Sequence, residues 1–217
     1  MYIREKIGTM QNNQKLIIIG ITGGVGSGKT KVLSYLEANY PCKVLQADVV
    51  ANVLKKQGEA CYEPTVSLLG TSILNDDGSI NNGKMGELIF SSPDILKKVN
   101  SIIHPFVKKQ IVQICNEEIR KKENKFLFIE AALLVEAGYE DIVDEMWYIY
   151  TEDSIRRKRL KENRSYDDKK IDRIFSTQIS KEKFIKNCDF IIDNNGLWKV
   201  TTNQIIKKME GYSWREK

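Results

Sequence analysis

Long apolar runs, paired cysteines and histidine are all scarce in this 217-residue chain, and each scarcity removes a class of protein. The longest apolar stretch, Leu16 to Ile21, is interrupted by Gly20 and falls far short of the about 20 residues that a helix needs to cross a bilayer. Residues 1–15 are polar and mixed in charge, without the apolar core of a secretion signal. Both features point to the cytoplasm, with no membrane partner. Cys42, Cys61, Cys115 and Cys188 stand far apart with no CxxC pair, so neither a zinc knuckle nor a disulfide framework is indicated. They read as reduced, mostly buried thiols. The one histidine, His104, precedes Pro105 and has no nucleophile or carboxylate visibly paired with it, so it reads as a helix-end packing residue. No contiguous basic stripe with interleaved aromatics is present, which argues against a nucleic-acid partner.

What is present is a balance of 41% hydrophobic and 29% charged residues, that of one globular domain or of a core domain with small insertions. The net charge of +5, from 34 Lys and Arg against 29 Asp and Glu, suits an anionic small molecule as well as it suits nucleic acid, and by itself does not choose between them. Short apolar runs at Leu16 to Ile21, Val44 to Ala47, Phe126 to Ile129, Met146 to Tyr150 and Phe190 to Ile192 read as strands. Helix-like spacing fills 29–39, 49–57, 85–122, 153–163, 167–187 and 197–210. Alternation of this kind predicts an α/β fold with a doubly wound, parallel, five-stranded sheet. The interval 58–122 breaks the rhythm with a polar loop, 74–79, and a run of helices, the last of them interrupted at His104-Pro105.

The strongest motif is Gly23-Gly24-Val25-Gly26-Ser27-Gly28-Lys29-Thr30, which matches G-x-x-x-x-G-K-[ST] between the first strand and the first helix. Glycines let successive backbone N–H groups converge on phosphate oxygens, and the helix N-terminus adds partial positive charge there. Lys29 would hold the β- and γ-phosphates and Thr30 would place its hydroxyl on Mg²⁺. A ligand-free turn would gain nothing from four glycines in six positions.

Asp48 follows the second strand, where it serves equally as a base for an attacking hydroxyl, as a water-bridged neighbour of Mg²⁺, or as the N-cap of a helix beginning at Val49. Glu130 and Glu136 bracket the segment after the third strand, and Glu130 reads either as part of a metal shell or as a solvated loop residue. Arg156, Arg157, Arg159 and Arg164 share one predicted helix and its end, and next to a phosphate loop such arginines suit charge stabilisation; spacing alone does not say which one reaches the phosphates.

Taken together, these blocks resemble the dephospho-coenzyme A kinase family from Leu16 to Ile206. The resemblance rests on 20–29, Asp48, Asn100-Ser101-Ile102-Ile103-His104-Pro105, Leu133-Leu134-Val135-Glu136, Arg159-Leu160, Gln178 and 189–196. It implies a kinase that uses ATP and Mg²⁺ to phosphorylate the 3′-hydroxyl of dephospho-CoA. It also implies a nucleotide-binding core of the phosphate-loop type (16–57, 123–150 and 188–217), a helical substrate domain (58–122) and a helical lid (151–187). Carried over, the general base falls on Asp48, the phosphate-binding lysine on Lys29, the metal-ligand hydroxyl on Thr30 and the lid arginine on Arg159, with Arg164 a second nucleotide contact. The chain departs from the family at Ala132, where proline is usual, and at Asn163, where the family often carries an arginine that here stands at 164. Residues 1–15 precede the family's usual start, and Met10 is a second candidate initiator. The rivals are a kinase for a nucleoside monophosphate or a shikimate-like metabolite, and a GTPase switch. Asp193-Asn194-Asn195-Gly196 imitates a DxxG box, but it comes about 160 residues after the phosphate loop and no NKxD segment accompanies it.

Overall fold

The computed structural model describes residues 15–131, 134–135 and 138–213. Glu136, Leu133, Ala132 and the extension through residue 14 therefore lie outside the described residues. The chain divides into two compact units, one formed by the chain up to Val44 together with Glu118 onward, the other by Leu45–Glu117.

Five strands make a single sheet: β1 (Ile17–Thr22), β2 (Cys42–Gln46), β3 (Phe126–Glu130), β4 (Glu145–Tyr150) and β5 (Phe190–Asp193), in the order β2-β3-β1-β4-β5. β1 pairs in parallel with β3 on one side and β4 on the other, and β4 pairs in parallel with β5. The Ile-rich run of β1 suits this central place, since a parallel strand covered on both faces has no need of polar alternation. One face packs Ile19, Ile21, Phe128 and Trp147 against Val32, Leu33 and Leu36 of α1 (Lys29–Asn39) and Ile205 and Met209 of α9 (Trp198–Ser213). β1 leads off toward β2 whereas its neighbour β3 leads off toward β4. Neighbouring strands whose connections part in opposite directions open a crevice beyond their C-terminal ends. The segment 23–28 leaves one of these ends and Glu130 forms the other.

The five strands and α1 lie where the sequence pattern predicts them. Three other expectations are corrected. The second helix is α2 (Ala47–Leu54), so Asp48 lies within its first turn rather than capping it, and Gln46 occupies the cap. The segment 167–187 is two helices, α7 (Asp168–Ser176) and α8 (Lys181–Asn187), because Ser180 accepts from the Lys183 N–H and starts a new helix just as Asp167 starts the first. Pro105 does not interrupt its helix: α5 runs continuously over Pro93–Lys121 and only loses the bond that a residue-105 N–H would donate to Ser101. The unit 45–117 also holds α3 (Tyr62–Leu69) and α4 (Asn82–Ser91), and a bridge between Leu74 and Ile80 closes the polar loop. None of the four cysteines forms a disulfide; Cys61 and Cys115 are buried and Cys42 and Cys188 half-buried. Burial above all pushes the Cys42 thiol up to about 11 and that of Cys188 to about 12, so neither is a thiolate at neutral pH.

The C-terminal end of α5 is tied down by Glu118, whose side chain is only 2% exposed and accepts from Lys43 Nζ (2.8 Å), Lys121 Nζ (3.2 Å) and Asn124 Nδ2 (3.1 Å). The Lys43 hydrogen bond, against the opposing pull of burial, holds this carboxyl below the usual range. Its contribution to stability is therefore complete above the ordinary glutamate pKa and disappears as pH falls through the lowered value. Glu118→Gln should destabilise the fold by about 1–3 kcal/mol at neutral pH and flatten the loss of stability below about pH 4. Urea midpoints across that range, identical for the two proteins, would show the cluster to be solvated and without effect.

Candidate active site

The loop between β1 and α1 turns back on itself through a Ser27 N–H to Gly24 carbonyl bond of 3.1 Å. Gly28 then starts α1 with φ 94°, and no side chain caps the first turn of α1. Only glycine fits there, for a Cβ would sit in the left-handed region and collide with the Asn194 amide. Gly23 is equally constrained, with φ 147° and the Ile149 carbonyl 2.7 Å from where its Cβ would be.

The carbonyls of this loop are held from outside. Arg156 Nε donates to the Val25 carbonyl at 2.9 Å. The Ser27 carbonyl accepts from Asn194 Nδ2 (2.8 Å), Thr151 Oγ1 (3.0 Å) and, more loosely, Arg159 (3.4 Å). Asn194 is in turn fixed by Thr201 Oγ1 at 3.0 Å, and its own carbonyl accepts from Arg159 at 2.8 Å. No protein acceptor meets the Gly26 or Gly28 N–H among the described residues, and the buried Ser27 and Thr22 hydroxyls have no partner there either. Donors without protein partners at a helix N-terminus form an anion cradle.

Lys29 folds over this cradle, with Nζ 2.7 Å from the Gly23 carbonyl and 3.6 Å from Glu130, both side chains being 12% exposed. Glu130 is thus drawn into the site by its ion pair. Thr30, the next residue of α1, is exposed. Beside Gly28 opens a pocket of about 400 Å³, lined also by Lys31, Arg159, Asn163, Asn194, Gly196 and Trp198. The Lys31 ammonium lies 4.2 Å from the Trp198 ring centre. Of these lining residues, Trp198 and Lys31 carry no motif and could not be singled out from sequence; Asn194 sits in the block 189–196 but nothing marked its side chain.

A model of the dephospho-CoA kinase family matches residues 17–199. The chain belongs to that family. The dephospho-CoA kinase of Streptococcus mutans is 35% identical over 88% of this chain and 96% of its own length. Among solved structures, the dephospho-CoA kinase from Campylobacter jejuni superposes with a TM-score of 0.66 at 23% identity, over 93% of this chain and all of that one. A Thermus thermophilus protein superposes at 0.75 with 25% identity, over 91% and 98%. The activity is that of a transferase, the ATP-dependent phosphorylation of dephospho-CoA in coenzyme A biosynthesis.

In this chain the four candidate arginines separate. They lie on α6 (Asp153–Arg164), and only Arg156 and Arg159 reach the loop. Arg157 faces Asp168 and Asp172 of α7. Arg164 is exposed at the helix end, and Asn163 rather than Arg164 lines the pocket. The helix runs one residue past the expected 153–163 to include Arg164, and Ser165 is the left-handed residue that ends it, with φ 51°. Asp48 belongs to the other unit, exposed in the first turn of α2; Lys55 at that helix's C-terminal end donates to Asn82 Oδ1 at 2.8 Å. His104, half-buried on α5, has its pKa lowered by burial and is neutral at pH 7.

Gly28→Ala should cost about 1–3 kcal/mol of stability, because a strained residue would displace Asn194 from the Ser27 carbonyl. Thermal unfolding with and without ATP checks it: the variant should also lose the stabilisation that ATP confers on the native protein. Retention of both would show that the loop tolerates another course.

Proposed function

We propose that the γ-phosphoryl group of ATP is transferred at the 23–30 loop to the ribose 3′-hydroxyl of dephospho-CoA. The observation that carries this reading is the pair of unpartnered N–H groups, Gly26 and Gly28, beside the Lys29 ammonium at the start of α1. Donors fixed before the ligand arrives stabilise developing phosphate charge without reorganising. Lys29 exchanges its loop carbonyl for a β- or γ-phosphate oxygen, and Glu130 keeps the released ammonium aligned.

The pocket beside Gly28 takes the nucleoside end of ATP, with the Trp198 indole for stacking and the Asn163 and Asn194 amides for polar edges. Arg159, which lines the same pocket, supports the charge of the transferring group. The donors near the loop fit a hard cation: the Thr30 hydroxyl, with Glu130 through water, would hold Mg²⁺ together with substrate phosphates. Mg²⁺ would supply neutralisation of phosphate charge. Asp48 accepts the proton of the attacking hydroxyl, a task for which its exposed carboxylate is chemically suited. The partners are small molecules, ATP and dephospho-CoA, with no nucleic acid, and the place of work is the cytoplasm. Among the described residues no helix is long and apolar enough to cross a membrane.

Purified protein should convert dephospho-CoA to CoA with ATP and Mg²⁺, and prefer it to nucleoside monophosphates and to shikimate. Lys29→Ala should lower kcat by about 10²–10³ while remaining folded. Asp48→Asn should keep ATP affinity and lose about 10²–10⁴ in rate; normal turnover by this variant would remove Asp48 from the chemistry. Arg159→Ala should reduce kcat strongly and Arg159→Lys should restore little, since a point charge cannot replace the planar fork, whereas Arg164→Ala should change mainly KM for ATP and by less. Native rates for Arg159→Ala would leave that arginine a purely structural part of the loop.

A further inference from the structure

Arg156 is the one arginine of α6 whose guanidinium is built into a cage. Its side chain is 11% exposed. Besides the Val25 carbonyl it bonds Asp153 at 2.7 Å and Gln178 of the α7–α8 connection, and it stacks 4.2 Å from the centre of the Phe175 ring of α7. It lies so close over the loop that a Cβ on Gly24 would overlap it. Such an arrangement is expensive to build for a solvated surface charge, because burial already opposes the charged state of this arginine.

The bond to Val25 has a definite consequence. The peptide between Val25 and Gly26 is trans, so its C=O and N–H point in opposite directions. A cationic donor that holds the carbonyl outward turns the Gly26 N–H inward, toward the cradle. We propose that Arg156 is a positioning residue for phosphate binding: it orients the Gly26 N–H through the Val25 carbonyl, and through Phe175 and Gln178 it makes that orientation depend on the α7–α8 segment. It touches the outside of the loop and not the phosphates. The inference rests on the phosphate-loop reading above and adds to it a link between the loop and the lid helices.

Calorimetric titration with inorganic tripolyphosphate, which has no base or ribose, isolates the loop from the nucleoside pocket. Arg156→Gln should bind it about tenfold more weakly, with a matching rise in KM for ATP and little change in KM for dephospho-CoA. Arg156→Lys should lose nearly as much, because one ammonium cannot span Val25, Asp153 and Gln178 at once. Gln178→Met keeps the arginine and loosens its support, and should weaken binding by a smaller factor, about two- to fivefold. If Arg156→Gln does not fold, Gln178→Met decides by the same titration. Native tripolyphosphate affinity in a folded Arg156→Gln, in Arg156→Lys or, failing those, in Gln178→Met would overturn the positioning role while leaving the phosphate loop standing. Failure of the native protein to bind tripolyphosphate or ATP would overturn the loop reading itself.

Discussion

A backbone that is to bind an anion must turn its N–H groups toward the ligand and dispose of its carbonyls elsewhere. In the 23–28 loop the carbonyls of Val25 and Ser27 are taken up by side chains from far along the chain: Arg156 for the first, Asn194 and Thr151 for the second. Because each peptide plane is rigid, holding one end decides where the other points. The glycines make the course of the loop possible, and these remote donors select the one course that leaves the Gly26 and Gly28 N–H groups for a ligand. Asn194 is itself set by Thr201 on α9, so the C-terminal helix takes part in shaping a loop near the start of the chain.

The same economy governs charge. Lys29 lies beside Glu130 and two loop carbonyls, so its ammonium is partly neutralised before any phosphate arrives. On the proposed reaction, an incoming phosphate exchanges partners with a cation already near its working position, rather than ordering a long side chain out of solvent. The switch in strand order between β1 and β3 makes this possible, since it brings the loop and Glu130 to adjacent strand ends.

Membership of the dephospho-CoA kinase family agrees with what the residues do individually, and the departures are informative on that account. Asn163 stands where the family often has arginine, and it lines the pocket beside Gly28 as an uncharged amide. Positive charge near the loop comes from Lys29, Arg156 and Arg159, each held by specific acceptors, while Arg157 forms its ion pairs with α7. Arginine counting along α6 could not have separated these roles, because a rotation of about 100° per residue places neighbours on different faces.

The sequence by itself determined the glycine-rich loop, the five strands and the helical interval, because each leaves a local mark: glycines at fixed spacing, apolar runs three to six residues long, polar punctuation at 74–79. It also put Lys29 and Thr30 at the start of α1, since their place in the chain is set by their position in the motif. Helix ends were less legible. The cap reading of Asp48, one of its three, fails because the residue falls inside α2, and Pro105 looked like a break but is carried within α5, because packing along a 29-residue helix outweighs the loss of one backbone bond. Only the tertiary structure decided that Arg156 and Arg159, not Arg157, face the loop, and that Asn194, Thr151 and Trp198 belong to the site. Those side chains act through contacts between residues more than a hundred positions apart, and no local periodicity records a partner so distant.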